Sequence, residues 1–196
     1  MSRSPKEIID EASELLKTAL FGLGDMKTRP GRMKTGLRNA VIFGRNTTWA
    51  LQNLRSAHQD FDAWYDEKQA EMKSDELMKY FHELRNDIEK RAKTPTTMSA
   101  HIKSFSTADM ARFEPRPPGA TGFFIGDQQG GSGWTVRTQN GSEEPYYVDL
   151  PGDIGKVDIH LVGAPGDAER QSAADLVEQY LQKIGALVAE ARVRFT

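Results

Sequence analysis

The chain has 196 residues, 28% of them charged, with a formal net charge of -2 and no cysteine. That length suits one domain able to bury a real core, and so small a net charge excludes a surface that attracts DNA or membrane as a whole. The missing cysteines remove disulfides, thiolate catalysis and Cys-ligated metal, and they fit a reducing cytoplasm.

No apolar run is long enough to span a bilayer, and the opening MSRSPKEIIDEASELL carries acids where a secretory signal would have an apolar core. A soluble cytoplasmic protein without membrane contact is expected. Residues 4–20 begin with a capping box: Ser4 as N-cap, Pro5 at the first helical position and Glu7 three residues after the cap. Ile8, Ile9, Ala12, Leu15, Leu16, Ala19 and Leu20 follow as one stripe, and Gly22 and Gly24 are expected to end the helix.

Residues 25–36 read as a loop in which Lys27, Arg29, Arg32 and Lys34 face a single acid. Such a patch suits phosphate or RNA, although a solvated loop without stacking aromatics looks the same. From Leu37 to about Met72 the apolar spacing predicts one long helix, interrupted by the polar Asn39, Arg45 and Asn46. Gly44 costs about 1 kcal/mol relative to alanine there, which marks close approach of another backbone. Phe61, Trp64 and Tyr65 read as aromatic packing.

Residues 74–92, SDELMKYFHELRNDIEKRA, form the central helix of this reading. Leu77, Phe81, Leu84 and Ile88 make its buried stripe, Ser74 its N-cap, and His82, Arg85, Asn86 and Glu89 a polar cluster beside the stripe.

Past Lys93 the character changes. TPTTMS reads as a loop, HIKSFST as an irregular strand, and Pro115, Pro117, Pro118 and Gly119 as a corner. GFFI, GWTVRT, YYVDL and KVDIHLV predict four short strands within residues 121–162, with Asn140-Gly141 as a hairpin turn, so a small antiparallel meander is expected. Residues 172–195 return to helix with a broad apolar face that must pack on more than one neighbour.

The glycine-rich residues 126–133 lack the lysine and hydroxyl of a phosphate-binding P-loop and join two strands, which favours a hairpin turn over an anion nest. His58 with Asp62 and Asp158 with His160 are pairs without a third ligand. No metal site and no cofactor is therefore expected.

The Arg85-Asn86 pair, followed by Lys90 and Arg91, resembles the end of the catalytic helix of HEPN-type proteins. These are helical-bundle proteins of prokaryotic defence and toxin systems, many of them metal-independent ribonucleases. Their motif is an arginine and a polar residue with a histidine a few positions on; here Lys90 stands at the histidine position. A neutral imidazole can accept the 2′-hydroxyl proton near neutral pH, whereas an ordinary lysine is already protonated. The chain also resembles bacterial proteins that pair such helices with a β segment of the form GGSGW…YYV.

The resemblance, joined to the strands read above, which have no counterpart in the family's basic pattern, implies an α+β protein, HEPN-like in outline. It has about four helices with a bundle core at 4–92, a small antiparallel β-meander inserted at 121–162, and the helix at 172–195 returning to the bundle within one domain, 1–196. It implies a non-catalytic interaction module, homodimeric, in a bacterial defence or toxin–antitoxin setting, with another protein or RNA as further partner. The alternative is a ribonuclease in which Arg85 and Asn86 hold the phosphate, His82 or His101 carries the proton, and Lys27, Arg29, Arg32, Lys34, Lys90 and Arg91 contact RNA.

Overall fold

The Ser4 hydroxyl accepts the Glu7 N–H while the Glu7 carboxylate accepts the Ser4 N–H at 2.8 Å, and this box starts α1, Pro5–Thr28. The computed structural model describes residues 3–196. α1 does not stop at Gly22 and Gly24, and the loop expected over 25–36 shrinks to a short corner before α2, Met33–Leu51. Packing explains the difference. A Cβ on Gly22 would lie 2.6 Å from the Gly36 carbonyl oxygen and 2.7 Å from the Ala40 nitrogen, so the two helices cross backbone against backbone there. Glycine is present for closeness and not as a stop signal.

The long helix expected from Leu37 to Met72 is two helices. α2 tightens into a 3-10 turn, Gln52–Ser56, and α3, Phe61–Ser74, starts after a corner. Asn53 donates to the Ala50 carbonyl, Ser56 to the Asn53 carbonyl, and His58 Nδ1 accepts the Asp60 N–H. Such local side-chain bonds compete with helix continuation. α4, Glu76–Arg91, is capped by Asp75, whose carboxylate accepts the Met78 N–H at 3.1 Å. Ser74 is not the cap; its hydroxyl bonds back to the Glu71 carbonyl.

β1, Thr96–Ile102, forms across the predicted loop TPTTMS and the start of HIKSFST. β2, Ala120–Ile125, β3, Ser132–Arg137, and β4, Glu143–Val148, make a three-stranded antiparallel meander in the order β2-β3-β4. β5, Gly155–Leu161, leaves it and pairs antiparallel with β1 as a separate ribbon. The expected four-stranded meander is corrected accordingly. Alternation in β5 turns Ile159 and Leu161 inward, and they join the helical core, so this strand lies on the bundle. The meander has a small core of its own, Phe113, Trp134, Val148 and Ile154, fastened where Trp134 Nε1 donates to the Phe113 carbonyl at 2.9 Å.

α5, Ala173–Phe195, closes the molecule. Its first half packs Leu176, Tyr180 and Ile184 against α1, α2 and α4; its second packs Leu187, Ala191 and Phe195 against α1 and the aromatic cluster of α3. Phe61, Trp64, Tyr65 and Phe195 form that cluster, and Trp64 donates to Glu190 at 2.6 Å. The fold is α+β with antiparallel sheets. No described helix is long and apolar enough to cross a membrane.

Candidate functional site

Arg85 lies on the inner side of α4 beside α2, with its side chain only 11% exposed. Its guanidinium is ion-paired to Glu89, one turn on. Nη1 also donates to Asn86 Oδ1 at 3.2 Å, and the guanidinium carbon stands 4.3 Å from the centre of the Trp49 ring. Arg45, one turn before Trp49 on α2, approaches the same ring at 5.2 Å. Trp49 is thus an exposed indole held between two cations, an arrangement in which the ring's negative face attracts both. The predicted polar cluster exists, but its arginine is engaged within the protein. Arg85 Nε is buried without a hydrogen-bond partner.

His82 does not join Arg85. It lines a cavity of about 200 Å³ between α2, α3, α4 and α5, together with Arg45, Tyr65 and Tyr180. Burial pushes both phenols above their ordinary pKa, and the positive charge of Arg45 pulls them back only in part. His101 sits far along the chain on β1, opposite Lys156 of β5, and lines a different cleft of about 680 Å³. No hydrogen bond or ion pair links either histidine to Arg85 among the described residues.

The basic residues of the sequence reading are divided as well. Lys27 and Arg29 line the second cleft with His101 and Lys103; Lys27 is also ion-paired to Glu178 at 2.9 Å. Arg32 turns back to Asp25 at 2.7 Å, and Lys34 lies inside the first turns of α2. At the end of α4, Arg91 pairs with Asp87 at 2.7 Å while Lys90 is exposed.

The glycine loop borders this cleft. Its N–H groups at Gln129 and Gly131 both donate, at 2.9 Å, to the Asp127 carboxylate, which also accepts the Tyr147 hydroxyl at 2.6 Å. The protein's own carboxylate occupies the place an external anion would take. The Tyr147 ring in turn packs where side chains at Gly31 and Gly131 would collide with it, tying the α1–α2 corner to the meander.

Trp49 and Arg45 are the site residues sequence reasoning missed. The signal was their spacing of four, which puts both on one face of α2. Among the described residues no group of three or more His, Asp or Glu converges as metal ligands.

Fold and site together define an α+β helical-bundle protein with an arginine-flanked tryptophan on its surface. Residues 25–107 match the family model described as bacteriophage lambda protein ea47, so this stretch, under half of the chain, is similar to that phage family. No curated protein and no solved structure matches the chain.

Proposed function

We propose that the chain is a non-catalytic interaction module on a HEPN-like bundle, self-associating as a homodimer in the bacterial cytoplasm within a defence or toxin–antitoxin setting. The observation that carries this reading is the state of Arg85: ion-paired to Glu89 and stacked on Trp49, it has no free fork to offer a phosphate. Lys90, at the position where the resembled enzymes carry histidine, is a protonated ammonium near neutral pH and a poor general base. Tryptophan and arginine are residue types that dominate binding energy at protein interfaces, and the exposed Trp49 stands beside the half-buried Arg45 and the buried Arg85. Similarity of one stretch to a phage protein family suits a setting in which phage and bacterium meet.

One observation favours the ribonuclease reading. Lys27, Arg29, His101 and Lys103 converge on one cleft from two parts of the chain, an arrangement that can meet an RNA backbone. Arg85 does not line this cleft, and in that reading it must both release Glu89 and reach the cleft. The test is incubation of purified protein with a mixed RNA pool. The interaction reading expects intact RNA; cleavage abolished by Arg85→Lys in a folded variant would replace it with the nuclease.

A further inference from the structure

Of the groups lining the cavity that holds His82, the two readings use only His82 and Arg45. Its lining includes three cations, Arg45, Lys73 and Lys79, against one carboxylate, Glu83, whose side chain is 76% exposed. Lys73 is satisfied by Gln69 at 2.8 Å. Arg45 is not satisfied. Its Nη1 donates to Thr48 Oγ1 at 2.9 Å, but Nε is buried with no acceptor, and no carboxylate pairs with it among the described residues. Nε itself is closed to solvent, so an occupant of the cavity can meet only the rest of the guanidinium, and for a cation on the cavity wall with no carboxylate partner the matching group is an anion.

Beside the polar Thr48 and Gln69, the walls carry apolar surface from Met72, Met78 and Ile184 and from the rings of Tyr65 and Tyr180. Inorganic phosphate would leave these surfaces unused. The volume of about 200 Å³ equals the liquid share of about six or seven waters at ~30 Å³ each, which limits the occupant to a small molecule.

We infer that this cavity binds a small organic anion, with its acidic group on Arg45 beside His82 and its apolar body between Met72, Met78 and Ile184. The class is a monocarboxylate with a single ring or short chain. The inference does not depend on what Arg85 does, since Arg85 does not line this cavity.

Benzoate is the probe and benzamide its neutral counterpart. Methionine methyl groups of the whole chain, labelled for NMR, report directly because Met72 and Met78 face the site. Benzoate is expected to shift these two methyls saturably, and benzamide to bind at least about tenfold more weakly, as for the loss of a charge-assisted hydrogen bond. Arg45→Gln is expected to weaken benzoate by a similar factor, with the other methyl resonances showing that the variant is folded. Absence of a saturable shift overturns the inference, as do equal affinities for benzoate and benzamide. That comparison is made on the unaltered protein, so it stands even where Arg45→Gln fails to fold.

Discussion

Replacing Arg85 by alanine removes an ion pair and a cation stacked on the Trp49 ring. Breaking a buried ion pair by deleting one partner costs about 3–5 kcal/mol. Glu89 is 30% exposed here and can rehydrate, which brings the figure down to about 1–2 kcal/mol. Loss of the cation–ring contact adds about 0.5–1 kcal/mol at a partly exposed site. Two changes offset part of this: the orphaned Arg85 Nε disappears, and alanine favours helix. The net expectation is a loss of about 1–2 kcal/mol, read as a lower urea midpoint with an unchanged slope. Glu89→Gln in a double-mutant cycle with Arg85→Ala should show a coupling of about 1 kcal/mol or more. An Arg85→Ala variant within about 0.5 kcal/mol of the parent, the range of ordinary surface changes, would refute the structural role of this arginine.

Gly44 makes a second prediction. A Cβ there would stand 2.6 Å from the Tyr180 ring and 3.0 Å from Leu181, so the neighbour is a side chain and not the backbone its sequence context suggested. Gly44→Ala gains about 1 kcal/mol of helix propensity and loses about 1–3 kcal/mol to overpacking, so the urea midpoint should fall; a rise would contradict this packing. Alkaline titration makes a third. Burial first, then the charges of Asp87 and Glu169, pushes Tyr80 up to about 12, and its hydroxyl donates to the Val162 carbonyl. The folded state keeps this proton while the unfolded chain loses it near the ordinary value of ~10, so stability is complete below that value and declines as pH rises from there toward 12. Tyr147 and Tyr180 shift the same way, Tyr180 through burial, Tyr147 through burial and then the Asp127 carboxylate. The phenolate absorbance of these three tyrosines should therefore appear late and together with unfolding; their full ionisation near pH ~10 in a folded protein would contradict these environments.

Much of the architecture was legible where chemistry is local. Ser4-Pro5-Glu7 announces a helix start that the structure forms as written, and Asn140-Gly141 turns the hairpin between β3 and β4. What was illegible depends on partners distant in the chain. Gly22 reads as a terminator until Gly36 is seen against it, and KVDIHLV reads as part of a meander until Ile159 and Leu161 are seen against the bundle. The same division holds at the site. Arg85, Asn86 and Glu89 share one helix, so their proximity could be read from spacing. The rotation that sends His82 toward Arg45 and Arg85 toward Trp49 is set by α2, which no pattern within residues 74–92 encodes.

Sedimentation of the purified protein across the micromolar range tests the interaction reading most directly, with the parent chain measured beside Trp49→Ala. The account predicts a parent that approaches twice the monomer mass as concentration rises and a variant that stays monomeric while keeping its helical signal. A parent that remains a strict monomer throughout, or a variant that dimerises equally well, would contradict self-association through the Trp49 surface.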